Sequence, residues 1–415
     1  MSDTRTATLS DLDPGLLRGA RVLVRVDFNV PLSPGGEVGD DTRLRAALPT
    51  IRDLQGAGAR TILVSHLGRP KGSVDPASSL GPVAPALGRL LEMEVPLLAD
   101  PPGSSELLEK IRQLKDGDVV LLENIRFLPG ETANDPDLAR DLASLCDHFV
   151  GDAFGTAHRA HASTDGVPRT VREKGGRAVA GHLVERELRF LRETLADPRR
   201  PFVSVMGGAK ISGKIDLIEV ILPRVDRLLI GGAMANTFFQ ALGLDTGESL
   251  VEPDRVEMAR ELLDRAGDKL MLPVDCVVGD TISDDAQVRT VDRGEVGGED
   301  RIGDIGPRSR ELFAQEIRSA RTLLWNGPMG VFEAPPFAEG TLHVARDMAE
   351  ATDAGAVTVV GGGDSAAAAE LAGVADRLSH ISTGGGASLD LLAGKTLPGV
   401  EALETIEDTG NGEGS

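Results

Sequence analysis

Short apolar runs alternate with amphipathic stretches along most of this chain. The runs are commonly followed by Gly, Asp or His and then by a helical pattern, as at residues 40–55 and 366–371. The clearest runs are residues 22–26, 61–64, 119–122, 203–206, 228–230, 322–325 and 357–360. This alternation predicts β-α units that form parallel sheets covered by helices. Such sheets bind ligands at the carboxyl ends of their strands, so the residues after each run are the functional candidates.

Two domains are expected, because 415 residues and 43.6 kDa exceed what one ordinary core organises. A boundary is predicted within residues 181–197, where a helical segment of mixed charge precedes Pro198 and Pro201. Strands before the boundary end in Asp, Asn, His and Arg, whereas strands after it end in glycine clusters. The predicted fold is α/β, with two doubly wound parallel-sheet (Rossmann-like) domains joined by a hinge helix.

Composition excludes several classes of partner. The net charge of −21 argues against nucleic acid and anionic membranes. The absence of Tyr and the single Trp325 argue against a stacking surface for single-stranded nucleic acid. Only Cys146 and Cys276 are present, so no disulfide framework is expected. The acidic N-terminal residues do not fit a signal peptide, and no apolar run is long enough to span a bilayer, so we expect a cytoplasmic protein.

The strand ends of the first half predict a site for a small, highly anionic ligand. Asp27 and Asn29 follow the first run, and arginines and histidines follow or lie near the others. This basic group is Arg43, Arg69, Arg126, Arg159, His66, His158 and His161. Arginine's planar fork suits phosphate and carboxylate oxygens. The alternatives are ordinary surface ion pairs and a zinc site, although the close His/Cys spacing typical of zinc is missing.

In the second half, residues 204–215 nearly form a Walker A phosphate loop. Gly208, Gly213 and Lys214 satisfy the spacing G-x-x-x-x-G-K, but Ile215 stands where Ser or Thr would hold Mg²⁺. Further glycine clusters at 361–363 and 384–386 precede helical segments, whose N-termini attract phosphate. Asp364 is a candidate Mg²⁺ ligand and Glu333 a candidate acceptor for ribose hydroxyls. Tight packing and a nicotinamide site (G-x-G-x-x-A at 361–366) are the alternatives.

Taken together, these motifs resemble one family, the phosphoglycerate kinases. The matching segments, in chain order, are RVLVRVDFNVP (21–31), SHLGRP (65–70), ENIR (123–126), DAFGTAHRAH (152–161), GGAK (207–210), WNGP (325–328), GGGD (361–364) and STGGGA (382–387). The resemblance extends from about residue 10 to residue 403. One departure is Gly151, where the family often has Asn; it puts the hydrogen bonding of that loop in doubt.

The resemblance implies reversible transfer of the 1-phosphoryl group of 1,3-bisphosphoglycerate to Mg-ADP, giving 3-phosphoglycerate and ATP, in a monomer whose domains close for direct in-line transfer. Residues 1–183 would bind the glycerate substrates, residues 184–392 the Mg-nucleotide, and residues 393–415 would return to the first domain. The implied substrate-binding residues are Asp27, Asn29, Arg43, His66, Leu67, Gly68, Arg69, Arg126 and Arg159. The implied nucleotide-binding residues are Lys214, Glu333, Gly362, Gly363, Asp364 and Ser365, with Asp364 on the Mg²⁺. The implied catalytic residues are Arg43, Lys210, Gly363 and Gly386.

Two other functions stay open from the sequence. A P-loop-like NTPase is disfavoured by Ile215, and ATP hydrolysis without 3-phosphoglycerate would support it. A non-catalytic nucleotide-binding protein would bind ATP but transfer nothing. The sequence offers no obvious Ser–His–Asp or Cys–His arrangement, but phosphoryl transfer between anionic oxygens needs none, so this lack does not argue against the kinase reaction.

Overall fold

The computed structural model describes residues 4–407, without the side chains of residues 193–196. The described chain divides into two compact units, residues 4–188 with 396–407, and residues 189–395. The expected boundary at residue 183 and the observed change of unit after residue 188 fall in the same helix, His182–Ala196.

The first unit contains a six-stranded, all-parallel sheet. Its helices are α1 (Pro14–Leu17), α2 (Thr42–Gly56), α3 (Val83–Leu91), α4 (Ser105–Arg112), α5 (Pro136–Ser144), α6 (Val167–Glu173) and the start of α7 (His182–Ala196). Its strands up to the junction are β1 (Thr4–Thr6), β2 (Arg21–Val26), β3 (Arg60–Val64), β4 (Leu97–Leu98), β5 (Val119–Leu122), β6 (His148–Asp152) and β7 (Ala178–Ala180). The sheet order is β4-β5-β3-β2-β6-β7, so the connections change direction between β2 and β6. Ligands of doubly wound sheets bind at such a switch point.

The central strand β2 is apolar on both faces, as expected for a parallel strand covered by helices on each side. Val22 and Val24 on one face and Leu23 on the other are fully buried. The exception is Arg25, which is 1% exposed although it is charged. A buried guanidinium is costly unless nearby groups accept its hydrogen bonds. The partners of Arg25 lie in the site described below.

The second unit contains another six-stranded parallel sheet, in the order β10-β9-β8-β14-β15-β16. Its strands are β8 (Phe202–Met206), β9 (Arg227–Ile230), β10 (Leu270–Met271), β11 (Asp275–Gly279), β12 (Val288–Asp292), β13 (Arg301–Ile305), β14 (Thr322–Asn326), β15 (Val357–Gly361) and β16 (His380–Ile381). Its helices are α8 (Ile215–Ile221), α9 (Met234–Ala241), α10 (Val256–Ala266), α11 (Pro307–Ser319), α12 (Glu339–Asp353), α13 (Gly363–Leu371) and α14 (Gly385–Leu392). The switch point lies between β8 and β14, which pair in parallel.

A three-stranded antiparallel sheet, β12-β11-β13, was not anticipated from the apolar runs. Its edge strand β12 is exposed at four of its five positions, so it has no apolar run to detect. Antiparallel sheets commonly leave one face in water, and their alternating pattern is weaker than that of a buried strand.

After the second unit the chain returns to the first. Helix α15 (Pro398–Glu401) precedes β17 (Thr405–Glu407), which pairs antiparallel with β1. Glu404 also forms an ion pair with Arg177 at 2.7 Å. Residues 408–415, part of the predicted returning segment, lie outside the described residues. None of the described helices combines the length and apolar character needed to cross a bilayer.

Candidate active site

The loops after the neighbouring strands β2 and β3 are tied together beside the switch point of the first unit. The Phe28 backbone N–H donates to Ser65 Oγ at 2.8 Å, and the Gly68 N–H donates to Asn29 Oδ1 at 2.8 Å. Asp27 accepts from Arg43 Nη1 at 2.5 Å, so helix α2 contributes its arginine to the same edge. The structure thereby brings together the residues expected after the first two runs.

His66 is buried among positive charges. Its Nδ1 lies 3.2 Å from Arg25 Nη2 and 3.8 Å from Asp27 Oδ1. Arginine can only donate, so Nδ1 accepts and the proton of the neutral ring resides on Nε2. Burial, reinforced by Arg25 and Arg126, holds the pKa of His66 well below its usual value. His66 is therefore neutral at physiological pH and can donate one hydrogen bond from Nε2.

Arg126 is buried and incompletely paired. Its Nη1 donates to the Gly68 carbonyl at 2.8 Å, whereas its buried Nε has no hydrogen-bond partner among the described residues. Burial, together with Arg25 and Arg159, lowers its pKa to about 10. Arg126 remains protonated at neutral pH. A bound anion would offset the repulsion from Arg25 and Arg159 and would accept a hydrogen bond from Nε.

The remaining predicted substrate residues differ in how firmly they are held. Leu67 is buried, and its carbonyl accepts from Asn124 Nδ2 at 2.7 Å. Arg159 is exposed, and its Nε lies 3.1 Å from His158 Nε2. Arg69 is also exposed, and its side chain makes no hydrogen bond or ion pair within residues 4–407.

Two charged residues of this cluster, Arg25 and Glu131, were missed from the sequence. Arg25 interrupts the apolar run 22–26, which is the pattern that could have revealed it. Glu131 is fully buried and accepts from Ser163, and nothing in its local sequence distinguishes it from a surface carboxylate. We call the four guanidinium groups of Arg25, Arg43, Arg126 and Arg159 the arginine cluster; all four lower the pKa of His66, after burial itself. Against Asp27 and Glu131 they leave a surplus positive charge that suits an anion.

In the second unit, the predicted nucleotide residues gather at the β8/β14 switch point. Lys214 Nζ donates to the side-chain oxygen of Asn326, the last residue of β14, and to its main-chain oxygen at 3.1 Å. Ser365 Oγ accepts from the Gly327 N–H at 2.6 Å, which joins helix α13 to the same point. Burial lowers the pKa of Lys214 to about 8, and the charge of Asp364 opposes that shift. The sequence identified Asn326 only as part of the WNGP motif, and its contact with Lys214 was not predicted.

Glycines allow the loops of this switch point to approach one another closely. A Cβ at Gly207 would lie 2.0 Å from the Pro328 carbonyl oxygen, so no larger residue fits there. Gly362, with φ +91°, caps helix α13 in a conformation that favours glycine. Gly363 begins that helix, and Gly386 lies in the first turn of α14.

A cleft of about 480 Å³ opens beside Gly208 and Asp364, the chain neighbours of Gly207 and Gly363. Gly208, Gly232 and Met329 form part of its wall, and the exposed carboxylates of Glu333 and Asp364 also line it. This combination of close-packed backbone and few polar groups is typical of a nucleotide site.

Lys210 lies apart from the Lys214 group. It is exposed, and its charge acts on Glu252. Burial raises the pKa of Glu252, but hydrogen bonds from Ser212 and, more weakly, the charge of Lys210 bring it below its usual value. Of the two lysines in the near-Walker segment, the structure therefore places only Lys214 in direct contact with Asn326.

The family model for phosphoglycerate kinase matches residues 9–395. The chain belongs to the phosphoglycerate kinase family. It is 53% identical over 400 residues to the phosphoglycerate kinase of Chlorobaculum tepidum, covering 95% of this chain and 98% of the relative. It is 54% identical over 404 residues to the phosphoglycerate kinase of Chloroflexus aurantiacus, covering 96% of this chain and 99% of the relative.

Solved structures support the same family. The phosphoglycerate kinase of Coxiella burnetii superposes with a TM-score of 0.85 at 39% identity, covering 96% of this chain and 98% of that one. The phosphoglycerate kinase of Pyrococcus horikoshii superposes with a TM-score of 0.81 at 33% identity, also covering 96% of this chain and 98% of that one. The predicted two-domain, parallel-sheet fold is confirmed, and the enzyme is a phosphotransferase. The family thus favours transfer over the P-loop NTPase and the non-catalytic alternatives.

A kinase of this family works on a nucleotide, and the residues present suit a nucleotide-borne Mg²⁺. Asp364 is an exposed carboxylate close enough to Lys214 to affect its pKa. Within the described residues, no three His, Cys, Asp or Glu side chains gather as a metal cage. Mg²⁺ commonly takes one or two carboxylates, several waters and the substrate phosphates, and a single Asp fits that pattern.

Proposed function

We propose that this enzyme transfers the 1-phosphoryl group of 1,3-bisphosphoglycerate to ADP, reversibly, to give 3-phosphoglycerate and ATP. The observation that carries the proposal is the surplus charge of the arginine cluster, which sits in a different unit from the glycine-walled cleft. A small anion and a nucleotide are the two ligands that these sites suit.

In the first unit, the glycerate and its 3-phosphate would be held by Asp27, Asn29, Arg43, His66, Leu67, Gly68, Arg69, Arg126 and Arg159. Asp27 would accept from the substrate hydroxyl while it holds Arg43 in place. His66 would donate from Nε2, and Arg126 would use its unmatched Nε. The exposed position of Arg69 suits a contact made only when substrate is bound.

In the second unit, the nucleotide would be held by Lys214, Glu333 and the start of α13 (Gly362, Gly363, Asp364 and Ser365). Asp364 would hold the Mg²⁺ of Mg-ADP or Mg-ATP, which supplies charge neutralisation on the phosphates when bound. Glu333 would accept from the ribose hydroxyls, since it is exposed at the cleft.

In the transfer step, a terminal oxygen of ADP forms a bond to phosphorus as the bond to the carboxylate oxygen of the substrate breaks. Both oxygens are anionic, so no general base or acid is required. Arg43, Lys210 and the helix starts at Gly363 and Gly386 would stabilise the charge on the phosphoryl group in transit. We also propose that the two units close about a hinge in α7, because ligands held on separate units must meet with water excluded.

A coupled assay with purified protein, Mg-ATP and 3-phosphoglycerate tests this function. ADP release that depends on 3-phosphoglycerate is the expected result. ADP release without it would instead identify an NTPase, and ATP binding without turnover would identify a non-catalytic protein. We further propose a cytoplasmic monomer, which size-exclusion chromatography with light scattering and cell fractionation can check.

A further inference from the structure

Glu131 is a buried charge with no place in the proposed transfer. It is fully buried, and its two carboxylate oxygens accept from the Ser163 N–H at 2.9 Å and the Ser163 hydroxyl at 2.6 Å. Its Oε1 also lies 3.7 Å from His161 Nδ1. A carboxylate buried this completely is costly unless a nearby positive charge compensates it.

The compensating charge is Arg25, which Glu131 reaches through Ser163. Arg25 Nε donates to Ser163 Oγ at 2.8 Å, and the same hydroxyl donates to Glu131. Burial lowers the pKa of Arg25, and the charge of Glu131 opposes this. Glu131 likewise opposes the lowering of the Arg126 pKa by burial. Its field therefore extends over at least two members of the arginine cluster.

An anionic ligand and Glu131 would compensate the same guanidinium groups. Asp27 is bound to Arg43. Glu131 is thus the second carboxylate facing four arginines, and it lies behind them rather than where a ligand could bind. Two negative charges that compensate one set of cations weaken each other's contribution, because each repels the other through a medium of low dielectric constant.

We propose that Glu131 is an internal counter-charge that limits how tightly the arginine cluster holds the phosphorylated three-carbon acid. It acts by its charge on Arg25 and Arg126 and touches no substrate, so it is a positioning residue. Weaker binding of this acid favours its release, which transfer in either direction requires. The inference rests on the proposed function.

The test measures the dissociation constant of 3-phosphoglycerate by isothermal titration calorimetry, without nucleotide. Glu131→Gln keeps the shape and removes the charge, and we expect binding to tighten on the order of five-fold. Glu404→Gln is the matched control. It removes one carboxylate from the same unit, but Glu404 pairs with Arg177 and accepts from the Ala178 N–H at the start of β7, so the affinity for 3-phosphoglycerate should stay unchanged. Ser163→Ala, which keeps both charges, should not tighten binding.

Weaker or unchanged binding in Glu131→Gln would overturn the inference, since a merely structural role predicts a loss. If this variant is unstable, its melting temperature is measured against rising inorganic phosphate. A larger phosphate-induced rise than in the unsubstituted protein supports the inference, and failure to fold at any phosphate concentration contradicts it. If the unsubstituted protein binds no 3-phosphoglycerate, the proposed function fails instead, whatever the variants do.

Discussion

Lys214 Nζ donates to both the side-chain oxygen and the main-chain oxygen of Asn326. This contact fixes the Lys214 amine at the β8/β14 switch point. The amine is held where Asn326 ends its strand, beside the N-terminus of α13. Its environment is buried enough to bring its pKa to about 8.

Nucleotide binding should therefore weaken as pH rises past 8. Phosphate is attracted to the protonated amine, and the fraction of Lys214 that is protonated in the free protein falls above its pKa. If only the charged form binds, the dissociation constant of Mg-ATP rises at most about ten-fold per pH unit there. Calorimetric titration from pH 7 to 9.5 measures this. Lys214→Arg keeps its charge throughout and should flatten the profile; an equally steep profile in that variant would contradict the assignment.

The near-Walker segment offers a direct comparison of two glycines. Gly207→Ala places a Cβ 2.0 Å from the Pro328 carbonyl, so the loops must move apart. We expect a loss of about 1–3 kcal/mol in the free energy of unfolding and weaker nucleotide binding. Urea unfolding and ATP titration report the two effects.

Gly213→Ala is its control, because a Cβ at that position meets nothing within 4 Å. Its stability should change by no more than about 0.5 kcal/mol, with binding retained. A true Walker loop would need Gly213, so loss of nucleotide binding in this variant would revive the P-loop interpretation.

Arg43→Ala should depress turnover far more than nucleotide affinity. Arg43 is bound to Asp27 in the first unit, while the nucleotide residues lie in the second. A group that acts on the transition state costs about 10²–10³-fold in kcat when removed. Steady-state kinetics with both substrates, beside ATP titration, separates the two quantities.

Arg45→Ala is the matched control on the same helix. Arg45 is exposed and pairs with Asp41 at 2.8 Å, so its removal should leave kcat within about two-fold. Equal losses of turnover in the two variants, or an equal loss of ATP affinity in Arg43→Ala, would contradict the transition-state role.

The parallel strands were predictable because their apolar runs are buried on both faces. The run 119–122 coincides with β5, and the run 203–206 misses only Phe202 of β8. The antiparallel strand β12 was missed because water contacts most of its residues. At the sites, motifs identified Arg126, which contacts the loop after β3, and Lys214, which contacts the end of β14. Glu131 could not be found this way, since only the folded chain buries it behind Arg25.

A different buried carboxyl, Asp304, should make stability depend on pH. It lines the cleft of the second unit and accepts from the backbone N–H groups of Gly340 and Ile305, at 2.6 and 2.8 Å. Burial raises its pKa from 3.8 to about 7. The folded protein therefore binds more protons than the unfolded chain between these values, and its stability falls as pH rises through that window. The slope from this group approaches about 1.4 kcal/mol per pH unit.

Asp304→Asn cannot ionise, so its unfolding free energy should lack this slope. At pH 5 the unfolding free energy of Asp304→Asn should be lower than that of the unsubstituted protein, because one amide hydrogen of Asn faces a backbone donor. The difference between the two proteins should shrink towards pH 8. Arg310 opposes the raised pKa of Asp304, so Arg310→Gln should extend the falling limb to higher pH. Urea unfolding at half-unit intervals of pH measures all three proteins. Parallel stability profiles for Asp304→Asn and the unsubstituted protein would show that this carboxyl is not the titrating group.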